Sequence, residues 1–149
     1  MTESRPTDTA LPHIQEVIAK LEAATEGSRE LDFRIQCAAA PSNDLPMGHT
    51  SASLLVSAER IGDWSGACRL SDCPLYTTSI DAALTLVPKP YEFLVRAGAK
   101  KGDADGDRRP FANCMHPRSD GPMYGANAAT PALALCIAAL RARSQTPTS

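Results

Sequence analysis

Ala128–Arg143, AATPALALCIAALRAR, decides how the rest of the chain is read. Thr130 supplies a hydroxyl to cap a helix start, and Pro131 suits the first helical position, where a missing N–H costs nothing. Leu133, Leu135, Cys136, Ile137 and Leu140 then leave almost no polar face. The pattern predicts a helix through Arg143 that must be covered around much of its circumference. Arg141 and Arg143 fall in its last turn, where cations complement the negative end of the dipole. Such a helix needs a sheet to lie across.

The preceding residues supply one. From Tyr91 to Ala97, Tyr91, Phe93, Val95 and Ala97 share one face of a strand while Glu92 and Arg96 point to the other. The polar stretch Gly98–Asp107 holds Asp105-Gly106, a hairpin turn signal, and further strands are expected near Arg109–Met115 and Met123–Ala126. Strands joined by such short connections pair antiparallel. Before them, Ser79 caps a helix with Asp81 in its first turn; Ile80, Ala83, Leu84 and Val87 form its apolar face, and Pro88 and Pro90 stop it.

At the other end, a helix starting from Pro12 carries Ile14, Val17, Ile18 and Leu21 on one stripe. Gly27 is expected to end it in the left-handed conformation, and Ser28 to cap a second short helix through Leu31 and Ile35. Residues 40–75 read as a variable insert, broken by Pro41, Pro46, Gly48, Gly62, Gly66 and Pro74; Ser53–Ser57 fits either a short strand or a helical turn. The expected fold is α+β, with helices packed on a small antiparallel sheet in the order helix, helix, insert, helix, two or three strands, helix. Residues 11–143 form the single domain, and 1–10 and 144–149 are expected to be frayed tails.

The length, 149 residues, fits one domain with a true core, and 43% apolar against 21% charged residues fits a globular chain. Fifteen Lys and Arg against 17 acids argue against a protein that coats nucleic acid. No stretch approaches the roughly 18 apolar residues of a membrane span, so no membrane partner is expected. The polar start, Met1–Pro12, lacks the apolar core of a secretory signal. A cytoplasmic protein follows as the expectation, with its five cysteines as thiols.

Ile18–Asp32 (IAKLEAATEGSRELD), Tyr76–Pro88 (YTTSIDAALTLVP) and Ala128–Arg143 resemble small phage and prophage proteins carrying the phage ABA sandwich domain, common in alphaproteobacteria. The resemblance covers about two-thirds of the chain, and its C-terminal helix is the most specific part. It implies a phage or prophage accessory protein with helices against a β-layer. It implies no known reaction, and the family offers no catalytic residues to carry over. The insert at 40–75 and the long connection Gly98–Asp107 depart from the family pattern.

Helix, antiparallel strands and a long final helix is also the order of a double-stranded RNA-binding domain. There, basic residues at the start of the final helix grip phosphates. Gly125–Pro131 contains no Lys or Arg, and nearby Arg118 stands alone, so nucleic acid is disfavoured as a partner. Cys68, Cys73, Cys114 and His116 form a candidate zinc set whose spacing is tolerable but not diagnostic. Asp103, Asp105 and Asp107 fail the calcium-loop pattern, since the positions that need Gly and a carboxylate hold Arg108 and Cys114. No nucleophile elbow, phosphate loop or zinc-protease motif occurs, and His13, His49 and His116 lie in polar, proline-adjacent or loop contexts.

These readings point to binding without catalysis and without a cofactor. The expected working surface joins Trp64, an interface anchor or else a plug folded into the core, to Lys100, Lys101, Arg108 and Arg109 around the hairpin turn. A cationic cluster there suits a host protein with an acidic face or a small anionic ligand. The competing readings are an RNA-binding module and a small zinc- or thiol-dependent enzyme.

Overall fold

A computed structural model describes residues 13–96, 109–118 and 121–145. Helix α1 (Ile14–Ala23) and α2 (Arg29–Ala39) lead into a 3-10 turn at Pro46–Gly48. Helices α3 (Ser51–Ile61), α4 (Trp64–Ser71) and α5 (Ile80–Leu84) follow. Strands β1 (Glu92–Arg96), β2 (Phe111–Met115) and β3 (Met123–Asn127) precede the closing helix α6 (Pro131–Gln145). The strands form one antiparallel sheet in the order β1-β2-β3, and the class is α+β as expected.

The predicted caps form. Ser28 Oγ accepts from Leu31 N at 3.1 Å, Ser79 Oγ from Ala82 N at 3.3 Å and Thr130 Oγ1 from Leu133 N at 3.1 Å. Each removes one orphan donor from a helix start. Helix α6 lies mainly over β2 and β3, with α1 and α5 against its other sides, and Leu133–Leu140 are fully buried. Arg141 and Arg143 do more than complement a dipole. Arg143 Nε donates to the Leu86 carbonyl, while Arg141 donates to the Gly125 carbonyl and pairs with Glu22. These ties hold the last turn, so α6 continues through Ser144 and Gln145, residues expected in the frayed tail.

One local expectation is corrected, and one alternative left open by the sequence is decided. Helix α1 ends at Ala23, capped by Ala24 in an extended conformation, so Gly27 is not its left-handed terminator. Gly27 is required for another reason: a Cβ there would stand 2.3 Å from the carbonyl oxygen of Thr77. The insert is mostly helical. Thr50 and Ser53 form a reciprocal capping box for α3, and Gly62, at φ 85°, ends it. Asp63 then caps α4, accepting from Gly66 N at 3.0 Å. Helix α4 packs on α2 and α3, so the insert is a helical layer laid against α2.

The sheet's inner face carries Ala112 and Cys114, both fully buried under α6. Val95 pairs with Ala112 and Phe93 with Cys114, placing both on that face as predicted. Phe93 is nonetheless 48% exposed, because α6 reaches β1 far less than it covers β2 and β3. Among the described residues, no helix is long and apolar enough to cross a membrane.

Candidate functional site

The start of α2 and the loop before α5 meet at a buried polar junction. Asp32, on α2, is fully buried and accepts from Thr77 N at 2.7 Å, from the Thr77 hydroxyl at 2.6 Å and from Arg29 Nη1 at 2.7 Å. Ser28 N donates to Thr77 Oγ1 at 2.9 Å, and Arg29 Nη2 donates to the Cys73 carbonyl at 2.9 Å. A buried carboxylate needs such a full set of donors. The network fixes residues 73–77 against the start of α2, and the missing side chain at Gly27 permits the close approach.

Beside this junction opens a cleft of about 510 Å³, lined by Glu26, Gly27, Thr77, Thr78, Ile80 and the start of α6 at Thr130–Ala132. Its volume is in the range of small-molecule sites. The walls combine hydroxyl groups, methyl groups and one exposed carboxylate, Glu26. Thr77 is rigidly held by Asp32, so one wall is preorganised. The first turn of α6 adds the positive end of a 15-residue helix.

Of the sequence-predicted binding residues, Trp64 and Arg109 are among the described residues. Trp64 opens α4 and packs against the core, with the Arg34 guanidinium 4.8 Å from its ring centroid. Arg34 is itself paired to Glu30 at 3.0 Å and Glu59 at 3.3 Å, so the indole is engaged within the fold. Trp64 is half-buried, with part of the indole on the core and part of it exposed. Arg109 precedes β2, and its carbonyl accepts from Asn127 Nδ2 at 3.2 Å. Lys100, Lys101 and Arg108 lie outside the described residues.

The four candidate zinc ligands separate into two places. Cys68 and Cys73 meet because α4 ends in a left-handed Asp72 (φ 54°), after which Cys73 N bonds back to the Cys68 carbonyl at 2.9 Å. Cys114 points under α6 instead. His116 begins the β2–β3 turn, its Nδ1 accepting from Arg118 N at 3.2 Å and its ring edge-on to Tyr91 at 5.4 Å. Among the described residues, no three His, Cys, Asp or Glu side chains converge as a metal site requires.

The thiols differ in their surroundings. Burial pushes Cys37 up to about 12 and Cys114 up to about 11, and it also raises Cys136. Cys68 is held below its ordinary value by a hydrogen bond with Cys73, working against burial and aided by the Arg29 charge; the same bond and burial raise Cys73. A raised thiol pKa removes the thiolate that nucleophilic chemistry needs.

The cleft residues escaped the sequence reading because they come from three distant segments. Their one local signal, the hydroxyl run Thr77-Thr78-Ser79, reads as a helix cap, which Ser79 indeed is. No family model, curated protein or solved structure matches this chain.

Proposed function

We propose that this chain is a non-catalytic binding protein, of the phage or prophage accessory kind its helical stretches resemble. Its ligand is a small polar molecule bearing an anionic group, seated in the cleft between Gly27, Thr77–Ile80 and the start of α6. The carrying observation is the concave site itself, one wall of which is braced by the Asp32–Thr77 bonds. An anionic group suits the start of α6, with Glu26 at the rim accepting from a donor elsewhere on the ligand.

The test is ligand-observed NMR with small carboxylates and phosphate monoesters as probes. At least one probe should bind the wild-type chain at sub-millimolar concentration. Thr78→Trp, which fills the cleft from an exposed position, should lose that signal with its melting temperature nearly unchanged. Glu26→Lys should strengthen it by removing the rim carboxylate. Binding that survives Thr78→Trp, or a panel without a single binder, rejects this site.

A further inference from the structure

The two edges of the sheet are treated differently. On β3, a carbonyl in mid-strand, that of Gly125, is occupied by the Arg141 guanidinium at 2.7 Å, and Arg141 is anchored to Glu22. A charged side chain laid on an edge strand opposes the addition of another strand. On β1, among the described residues, neither a strand nor a side-chain hydrogen bond covers the outer edge. Its apolar side chains are also uncovered: Phe93 is 48% and Leu94 43% exposed.

The order of residues along β1 is self-complementary. Read as Glu92-Phe93-Leu94-Val95-Arg96, the strand places an acid and a base at equal distances from Leu94, both on the outer face. A second β1 laid antiparallel about Leu94 sets Glu92 opposite Arg96 twice, Leu94 opposite itself, and Phe93 opposite Val95 twice. Opposite charges and aromatic–β-branched pairs directly across a ladder are stabilising, and like charges are not. A parallel arrangement would align Glu92 with Glu92 and Arg96 with Arg96. Sliding the antiparallel pair two residues toward the N-terminus would bring Arg96 opposite Pro90, which has no N–H to give. Arg96 is already steadied across the outer face, its guanidinium 5.3 Å from the Phe111 ring centroid.

We infer that β1 is a homodimerisation edge: two copies pair antiparallel through Glu92–Arg96, centred on Leu94, giving one six-stranded sheet with both α6 helices on the same side. The contact is isologous, since each residue pair occurs twice about the two-fold axis. Five-residue edges bury little area, so association is weak and concentration-dependent.

Sedimentation equilibrium on the full chain tests it with charge-swapped variants. Glu92→Arg alone sets Arg opposite Arg at both sites, and Arg96→Glu alone sets Glu opposite Glu. Each should weaken self-association about tenfold or more, with melting temperatures near wild type because both positions are exposed. Mixed in equal amounts, the two variants should associate as tightly as the wild-type chain, since every cross-strand pair is again opposite in sign. A wild-type chain still monomeric near about 1 mM overturns the proposal. Single variants that dimerise unchanged overturn it too, as do singles that dissociate and are not rescued by mixing.

Discussion

Leu133–Leu140 of helix α6 and the Asp32–Thr77 pair are both buried, and they hold the molecule by opposite means. Around α6 the contacts are aliphatic, from Leu133, Leu135, Ile137 and Leu140 onto the sheet and the flanking helices. Apolar contacts are non-directional, so each side chain contributes according to its area and its neighbours can partly relax into a gap. At the junction, three donor groups converge on one carboxylate, and removing any member strands the others. The first region tolerates adjustment. The second specifies one arrangement, and it lies against the cleft.

The largest effect should come from breaking the junction. Asp32→Ala leaves Arg29 and Thr77 without their shared acceptor and should destabilise by about 4 kcal/mol in urea unfolding. Replacing the set together, Arg29→Met with Asp32→Leu and Thr77→Val, should recover about half of that loss, because no polar group is then stranded. If the triple variant is no better than Asp32→Ala, the junction is not acting as a hydrogen-bonded unit. Ile137→Ala on α6 should follow at about 3 kcal/mol, from lost apolar contact and a residual cavity.

Gly27→Ala probes the boundary between the two regions. Its Cβ would meet the Thr77 carbonyl oxygen at 2.3 Å, a backbone atom that moves only if the junction moves with it. A loss of about 2 kcal/mol is expected. It should shrink in the triple variant, where residues 73–77 are no longer held by Asp32. Equal losses in both backgrounds would separate the close approach from the polar network.

Most helix starts were readable beforehand, because a cap is a local bond: Ser28, Ser79 and Thr130 each bond an amide three residues on. The strands were readable from alternation, and the register places Phe93 and Val95 on the predicted face. Helices α3 and α4 were not, although Thr50 and Ser53 stand at capping-box spacing. Glycines and prolines dominate that segment, and a two-residue Gly62-Asp63 joint between two helices resembles loop punctuation. Gly27 was misread because its requirement comes from Thr77, fifty residues away in sequence. The cleft has the same origin, since Glu26, Thr78 and Thr130 share no local pattern and meet only through the packing of α6 against the junction. Local chemistry announces elements; the site is a product of their assembly.

The smallest expected effect uses the thiols to compare the surroundings by titration. Cys114, beneath α6, and Cys37, on α2, are held protonated by burial, to about 11 and about 12. Both values lie above the ordinary thiol range, so the unfolded chain loses these protons first as pH rises. Above pH 8.5 the unfolded state therefore binds fewer protons than the folded state, and stability must fall with pH. The stabilisation from each thiol is complete below the ordinary thiol value and is lost as pH climbs toward 11 or 12. At pH 9.5 each should have lost about 1 kcal/mol relative to pH 7.5. Cys114→Ala should flatten the alkaline slope measured by urea unfolding. Cys37→Ala should flatten it as well, because burial holds that thiol's proton still higher, to about 12. A slope left unchanged by both variants would show that burial of these two thiols is not what makes stability fall as pH rises.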